Sequence, residues 1–253
     1  MRLIVALVAL LLPVSALSQA PAAGKTRLTW LGHAAFLVQT PGGANLLIDP
    51  WLENPKASKD FQLPQTIDAV LISHGHDDHV GQARNFIGKE GTQSLAVPEL
   101  NRILGAKMMG GNVGAAFQVK DATVHFVNAV HSSSHDGDRP GQYAGNPIGF
   151  VIEIRNGPTL YHAGDTGLFG DMELIGTRFG PEIALLPIGG NFTMGPKDAA
   201  IAARMLGVKT VVPMHWGTFP LLQGKPEELQ RELGAAKAKA KMQVLEPGKT
   251  VSL

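Results

Sequence analysis

Three histidines and an aspartate lie within six residues of this chain, in the order His74-x-His76-x-Asp78-His79. Imidazole and carboxylate groups are costly to bury without partners, and a bound transition metal is the simplest partner for all of them. The apolar run Ala69–Ile72 directly precedes them and predicts a buried strand that ends where these groups begin. The pattern therefore predicts a metal centre at the end of a strand, in preference to a solvated loop rich in histidine.

Three further residues with ligand chemistry follow apolar segments in the same way: His131, Asp165 and His215. Gly164 precedes the aspartate and permits a sharp turn there. Strand ends from different parts of a sheet converge on one edge, so we expect these residues to join the first group. Five histidines and two aspartates are enough for two metal ions that share one carboxylate. Neutral imidazole suits Zn²⁺ and its neighbours in the transition series.

The composition limits the classes of partner. The chain has no cysteine, which removes disulfides and thiolate ligands and leaves nitrogen and oxygen donors. Its 22 basic residues nearly balance 21 acidic ones, so no basic excess points to nucleic acid or to anionic lipid. We expect a small-molecule substrate, no nucleic-acid partner and no stable membrane association of the mature chain. The oligomeric state stays open.

The first residues have the three-part pattern of a secretory signal peptide. Met1-Arg2 is positive, Leu3–Leu12 is almost wholly aliphatic, and Pro13–Ala23 is rich in small residues. We predict a signal peptide over residues 1–22, a single domain over residues 23–253 that carries the metal centre, and a periplasmic or secreted protein. Cleavage after Ala16 and an uncleaved membrane anchor are the alternatives.

The remaining pattern alternates short apolar segments with Gly and Pro signals and with a few helices. Predicted strands are 27–31, 35–39, 45–49, 69–73, 94–97, 148–154, 158–162, 183–188, 210–214 and 242–245, with a hairpin over 116–130. Predicted helices are 80–89, 99–106, 196–205 and 225–241. Strands in two groups, each followed by helices, favour an α/β fold with two sheets packed face to face and helices outside, a four-layer αββα sandwich.

The ligand pattern, together with several short motifs, resembles the metallo-β-lactamase superfamily. More narrowly, it resembles a family of metal-dependent hydrolases related to the ascorbate-6-phosphate lactonases. The motifs are Thr29-Trp-Leu-Gly-His33, Ile48-Asp-Pro-Trp51, Ala129-Val-His-Ser-Ser133, Tyr161-His-Ala-Gly-Asp-Thr-Gly167, Ala184-Leu-Leu-Pro-Ile-Gly189, Phe192-Thr-Met-Gly-Pro196 and Pro213-Met-His-Trp-Gly-Thr-Phe219. They cover essentially residues 28–253.

The resemblance implies a metal assignment. His74, His76 and His131 would hold one metal ion, Asp78, His79 and His215 the other, and Asp165 would bridge them. We expect both metal ions to be Zn²⁺, and Mn, Ni or Fe fit the same donors. The chain departs from the family at the signal peptide, at Asp77, where Gly is common, and at Asn191, where His is common.

Paired metal ions lower the pKa of a bound water and polarise the bond under attack, so a hydroxide is available near neutral pH. We expect Asp78 and Asp165 to orient it and to take up its proton. His162 is a candidate leaving-group acid and His135 a candidate substrate or acid residue, each with a purely structural role as the alternative. Asn191 is a candidate substrate contact. His33 is interpreted as a satisfied strand-end residue in preference to a partner of the ligands, and His125 as structural.

These residues predict a metal-dependent hydrolase that acts on a small ester, lactone or phosphodiester. The alternatives are a metal-dependent binding or sensing protein without turnover and, less favoured, a hydrolase of β-lactam amides. The missing cysteine and the bridging Asp165 argue against the β-lactamase alternative. A carboxylate in place of His76 would be expected for an oxygen-reducing di-iron protein.

Overall fold

Two β-sheets form the centre of the protein, in a computed structural model that describes residues 24–108, 110–135 and 139–253. The predicted signal peptide lies outside these residues. The strands are β1 Arg27–Gly32, β2 Ala35–Gln39, β3 Asn45–Ile48, β4 Ala69–Leu71, β5 Gln93–Leu95, β6 Ala116–Val119, β7 Ala122–Asn128, β8 Ser134–His135, β9 Gln142–Tyr143, β10 Ile148–Ile154, β11 Leu160–His162, β12 Ile183–Pro187, β13 Thr210–Met214, β14 Lys241–Met242 and β15 Thr250–Ser252. The helices are α1 Asp77–Val80, α2 Pro98–Ile103, α3 Met172–Phe179, α4 Pro196–Leu206 and α5 Pro226–Ala235, with a short 3-10 helix at Ala83–Asn85.

The first sheet has six strands in the order β15-β1-β2-β3-β4-β5, and the second has seven in the order β14-β13-β12-β11-β10-β7-β6. Strands β8 and β9 form a separate two-stranded ribbon. The inner faces of the two sheets share one apolar cluster that contains Phe36, Ile48, Phe126 and Phe150. The fold is the αββα sandwich that the sequence predicted.

The topology brings the predicted ligands to one edge. Strands β11, β12 and β13 are parallel, and β7 runs in the same direction because it and β11 are both antiparallel to β10. The ends of β7, β11 and β13 therefore lie at the same edge, where His131, Asp165 and His215 follow them. In the first sheet β3 and β4 are parallel, so Asp49 and His74 follow strand ends at a common edge.

Several predicted elements have other bounds in the structure. The predicted helix over residues 80–89 is wrong: helix α1 ends at Val80, and only a 3-10 turn follows. Gly81 has φ 41°, and a Cβ there would lie 2.4 Å from the Cα of Trp51, so close packing interrupts the helix. The last predicted helix ends early, at Ala235, and α3 was not predicted.

The helices lie outside the sheets. Helix α4 contacts β12 and packs between α3 and α5. Helix α2 is joined to β5 by a buried hydrogen bond from Ser94 Oγ to Asn101 Oδ1 of 2.7 Å. None of the helices in the described ranges has the length and apolar character needed to span a membrane.

Candidate metal centre

Three histidines form the first of two adjoining clusters: His74, His76 and His131, with ligand atoms all within 4.8 Å of one another. The Nε2 of His74 lies 2.9 Å from the Nδ1 of His76. The Ser73 hydroxyl donates to Asp49 and so accepts from the Nδ1–H of His74, 3.0 Å away, which leaves the unprotonated Nε2 facing the cluster. Burial lowers the pKa of all three rings, so they are neutral, the form that binds metal.

The second cluster contains Asp78, His79 and His215, together with His33, again with ligand atoms within 4.8 Å of one another. The Nε2 of His215 lies 3.8 Å from Asp78 Oδ2. Burial by itself would raise the pKa of Asp78, but the neighbouring imidazoles outweigh it and hold that pKa far below its usual range. Asp78 is therefore a carboxylate, and its side chain is 22% exposed while those of the three histidines are almost wholly buried.

Asp165 lies between the two clusters. Its carboxylate oxygens are 2.9 Å from His215 Nε2 and 3.3 Å from His79 Nε2, both in the second cluster. The same carboxylate is 3.6 Å from His131 Nε2, in the first cluster. Burial would raise the pKa of Asp165, but His215 and His79 together keep it well below the ordinary value. A buried anion is thus placed where it can contact groups of both clusters.

The buried atoms of this centre fit metal ions. His79 Nε2, His215 Nε2 and Asp165 Oδ1 are inaccessible to solvent. The two nitrogens lie close to the Asp165 carboxylate, yet none of the three atoms is in hydrogen-bond geometry with a described residue. Buried polar groups in native proteins almost always have a partner, and a cation would supply it to all three. The donors are imidazole nitrogens and carboxylate oxygens, the set preferred by Zn²⁺ and neighbouring divalent metals.

Asp49 orients one of the ligands, and sequence reasoning missed this role because Asp49 appeared only within a family motif. Its buried carboxylate accepts hydrogen bonds from Ser73 N and Ser73 Oγ, each 2.7 Å long. It also accepts one of 2.8 Å from His79 Nδ1. This contact selects the tautomer of His79 that presents Nε2 to the centre, as carboxylates beside metal-binding histidines do in general.

Backbone strain is concentrated at the centre. His33, Asp49 and His215 all adopt left-handed backbone conformations, with φ of 52°, 42° and 54°. Residues other than glycine rarely adopt this conformation, and it persists only where the surroundings enforce it, often at functional sites. Here the backbone N–H of His215 donates to His33 O over 3.0 Å, so two of the strained residues hold each other.

His33 lies against the ligands, which corrects the preferred interpretation as a satisfied strand-end residue. Its Nε2 is 3.0 Å from Asp78 Oδ2 and its Nδ1 is 2.6 Å from Thr218 Oγ1. Its ring centre is 3.9 Å from that of His215. Burial lowers the pKa of His33 to about 4, so the ring is neutral and donates its single N–H to the Asp78 carboxylate. Only the motif that ends at His33 signalled it in the sequence.

His162, a predicted catalytic acid, lies in the core instead, and the structure does not support that role. It is completely buried, with its ring near Phe36 and Phe150. Its Nε2 is 2.9 Å from Ala34 O, and its Nδ1 accepts from the backbone N–H of Gly164 over 3.1 Å. Both nitrogens are therefore used by the backbone, and neither is available to a leaving group. His162 supports the turn before Asp165.

His135 and Asp77 contact each other beside the first cluster. His135 Nδ1 lies 3.1 Å from Gly75 O and 3.2 Å from Asp77 Oδ1. His135 is buried, and this geometry favours the structural alternative, in which it holds the loop between His74 and His76, over the predicted substrate contact. Asp77 is in the first turn of α1, and its side chain is 73% exposed.

Asn191 lies outside both clusters, on the loop that follows β12. It is exposed, has φ 57°, and belongs to a tight loop closed by a bond of 3.0 Å from Gly190 N to Met194 O. With Trp216 and Gly217, which follow the ligand His215, it lines a cleft of about 970 Å³. That position is compatible with the predicted substrate contact. His125, interpreted as structural, contacts Glu153 at 2.5 Å and belongs to neither cluster.

Comparison with known proteins agrees with this description. Residues 27–215 match the family model described as a β-lactamase superfamily domain. A protein of Myxococcus xanthus named UPF0173 metal-dependent hydrolase is 56% identical over 246 residues, which cover 94% of this chain and 88% of that protein. A relative of the same name from Rubrobacter xylanophilus is 43% identical over 231 residues, 89% of this chain and 96% of that protein.

Solved structures give the same result. Igni18, described as a metallo hydrolase of the archaeon Ignicoccus hospitalis, is 35% identical to this chain with a TM-score of 0.78, and the match covers 91% of this chain and 99% of that one. The isothiocyanate hydrolase from Delia radicum gut bacteria is 22% identical with a TM-score of 0.65, over 90% of this chain and 98% of that one. At that identity the second likeness concerns the fold alone.

Proposed function

This chain belongs to the β-lactamase superfamily and, within it, to the UPF0173 metal-dependent hydrolases, and we propose that it hydrolyses a small ester, lactone or phosphodiester at a centre of two divalent metal ions. The observation that carries the proposal is the position of Asp165, in contact with histidines of both clusters. A single metal ion in the second cluster would leave the three histidines of the first, whose ligand atoms lie within 4.8 Å of one another, without a common cation. Two ions that share this carboxylate satisfy both.

The assignment of residues follows the two clusters. His74, His76 and His131 hold one ion, and Asp78, His79 and His215 hold the other. Zn²⁺ is the first choice because every donor is an imidazole or a carboxylate, with Mn, Ni and Fe as the alternatives. When bound, such a pair supplies Lewis-acid polarisation of the substrate and a water of lowered pKa.

The protein's own groups then handle the proton. Asp78 and Asp165 are both anionic and can accept the proton that water loses, but Asp165 is buried while Asp78 reaches solvent. Asp78 is therefore the carboxylate that can pass the proton on to the leaving group. For an ester, the water oxygen bonds to the acyl carbon, the acyl C–O bond breaks, and the proton ends on the departing alkoxide.

The first test is metal analysis of purified protein after loading with Zn²⁺ or Mn²⁺. We expect two equivalents in the wild type and a loss of one in Asp165→Ala, together with most of the activity. His125→Ala, a histidine outside both clusters, is the matched control and keeps both metals. One equivalent or less in the loaded wild type would refute the two-ion centre, and wild-type turnover in Asp165→Ala would remove Asp165 from the mechanism.

The second test is a substrate panel with the metal-loaded protein: lactones, p-nitrophenyl esters and bis-p-nitrophenyl phosphate. An isothiocyanate belongs in the panel because a structural neighbour is an isothiocyanate hydrolase. Tight binding of these compounds without product would favour the alternative, a binding or sensing protein. A β-lactam is included as the disfavoured amide substrate.

Export to the periplasm or beyond is part of the proposal and rests on the pattern of residues 1–22. Cell fractionation of the full chain, with N-terminal sequencing of the mature form, tests it. Recovery of the intact chain in the cytoplasm would refute export.

A further inference from the structure

Exposed apolar side chains are concentrated around the metal centre. Among the described residues, eight large hydrophobic side chains are exposed, and five of them lie on segments that carry or touch the ligands: Val130, Tyr143, Phe192, Phe219 and Leu221. Single exposed hydrophobics are ordinary, but a group of them around a polar site typically marks a binding surface. The physical question is what they bind.

Two of the five are tied to one side of the centre through Thr166, which follows Asp165. The backbone N–H of Val130 donates to Thr166 Oγ1 over 2.9 Å, and Val130 precedes the ligand His131. The backbone N–H of Met194 donates to Thr166 O, also over 2.9 Å, and this anchors the loop that contains Phe192. Both exposed side chains therefore belong to loops that are held against Thr166, the residue after Asp165.

Two others, Phe219 and Leu221, lie on the segment that follows the ligand His215. The ring of Phe219 stacks on Trp51 at 5.5 Å and meets the edge of His33 at 5.6 Å. Leu221 lines the cleft of about 970 Å³ that it shares with Asn191 and Trp216. Exposed apolar side chains thus lie on both of the loops, after β12 and after β13, that line this cleft.

The fifth exposed apolar side chain, that of Tyr143, lies on a segment that packs against the loop of the first cluster. Tyr143 precedes Ala144, whose Cβ lies 2.4 Å from where a Cβ on Gly75 would be. Gly75 is the residue between His74 and His76. The side chain of Tyr143 is 61% exposed.

The charges nearby do not form a clamp for an anion. Asp77 is an exposed carboxylate next to the ligand Asp78. Lys56 is the described lysine closest to the Trp216 ring, and its Nζ is 3.6 Å from the ring centre, where the aromatic face stabilises the ammonium group. Lys225 lines the cleft beside Leu221, but Glu227 and Glu228 line it as well, so a polyanionic substrate would meet more carboxylates than bases there.

We propose that the substrate is an uncharged ester or lactone with an apolar acyl chain, which these side chains bind while the carbonyl lies at the metal centre. This inference rests on the proposed function and narrows its substrate class. The alternative occupant of the apolar surface is a second copy of this chain.

The test uses metal-loaded protein and p-nitrophenyl esters of acetate, butyrate, hexanoate and octanoate. A fully buried methylene changes a binding constant about fourfold. The exposed apolar side chains would bury each methylene only about half, which predicts about twofold per methylene and about 60-fold in kcat/KM from acetate to octanoate. In the double variant Phe192→Ser, Phe219→Ser we expect this gradient to fall below about fivefold. The matched control is Val113→Ser, Leu174→Ser, two exposed apolar residues in a separate groove against α3.

A binding measurement that needs no turnover tests this inference independently of the proposed function. Hydroxamates bind metal ions directly. Calorimetry with acetohydroxamate, octanohydroxamate and the monohydroxamate of suberic acid therefore compares how the attached chains interact with the exposed apolar side chains. We expect octanohydroxamate to bind at least about tenfold more tightly than both others. A flat chain-length series in esters and hydroxamates would overturn the apolar substrate even if hydrolysis occurs.

The remaining outcomes are also decisive. Tighter binding of the carboxylate-bearing hydroxamate would overturn the inference in favour of an anionic substrate held by Lys56. Chain-length-dependent binding with no turnover of any ester or lactone would refute the proposed function but would still support the binding of an apolar chain by these side chains. A dimer by sedimentation that dissociates in the Phe192→Ser, Phe219→Ser variant, with no chain-length dependence, would assign the surface to a second copy.

Discussion

Removal of the His33 imidazole should weaken the second metal ion and leave the first in place. In the structure this ring joins Asp78 to Thr218, with atom separations of 3.0 Å and 2.6 Å. The pKa of about 4 means that the ring is neutral at pH 7, so its one N–H donates to the carboxylate and its other nitrogen accepts from the hydroxyl. In His33→Ala the carboxylate of Asp78 loses this orienting donor.

The magnitude follows from the hydrogen bond that is lost. A hydrogen bond to a charged group is worth about 1.5–3 kcal/mol, and partners that orient metal ligands typically contribute about 10- to 100-fold in metal affinity. The energy range and the affinity range agree, because about 1.4 kcal/mol corresponds to a factor of ten in a dissociation constant. We therefore expect the dissociation constant of the second metal ion to rise 10- to 100-fold.

The assay is chelator competition combined with elemental analysis, which gives both dissociation constants and the stoichiometry. The first ion, held by His74, His76 and His131, should keep its affinity within about threefold because none of these residues touches His33. His33→Asn controls for the backbone, since Asn tolerates the left-handed conformation better than Ala. Thr218→Val removes only the outer hydrogen bond and should cost less than His33→Ala.

Three results would refute the reasoning. Equal weakening of both ions would mean that the substitution disturbs the fold and not Asp78. A change of less than threefold in the second ion would mean that His33 does not position the carboxylate. A loss above 1,000-fold would identify His33 as a ligand in its own right.

Three further predictions concern the surroundings of the centre. Asp49→Ala leaves buried donors of Ser73 without an acceptor, so the free energy of unfolding in urea should fall by about 3 kcal/mol; a fall below about 1 kcal/mol would contradict the assigned hydrogen bonds. Tyr161→Phe removes a buried hydroxyl that has no hydrogen-bond partner among the described residues, so the free energy of unfolding should stay unchanged or rise by about 1 kcal/mol, and a clear loss would reveal a hidden partner. Gly164→Ala places a Cβ 2.8 Å from a backbone oxygen at φ 59°, so Asp165 should shift, and both metal content and Tm should fall; retention of two equivalents would disprove the steric argument.

The fold was largely predictable because its signals are local. The hairpin of β6 and β7, the hairpin of β10 and β11 around Asn156-Gly157, and the strand β13 all follow from apolar alternation and turn residues. The helix expected after Val80 failed for the opposite reason. Its sequence permits a helix, but Gly81 packs against the backbone of Trp51, which a local pattern cannot reveal.

The candidate site also has one part that the sequence could predict and another that it could not. His74, His76, Asp78 and His79 are close in sequence, so their types and spacing were enough to predict a metal centre. His33 and His162 resemble each other in sequence, since each is a histidine at the end of a short strand and inside a family motif. Their partners decide between them: Asp78 contacts His33, and backbone groups use both nitrogens of His162.

The sequence by itself therefore determined the donor types, the strand ends that carry them and the αββα class, because each depends on residues near one another in the chain. The tertiary structure decided which donors meet. It placed Asp165 between clusters whose histidines come from four separate segments, and it joined His33 to Asp78 across 45 residues. A hydrogen bond requires atoms within about 3 Å, and only the packing of two sheets brings distant segments that close.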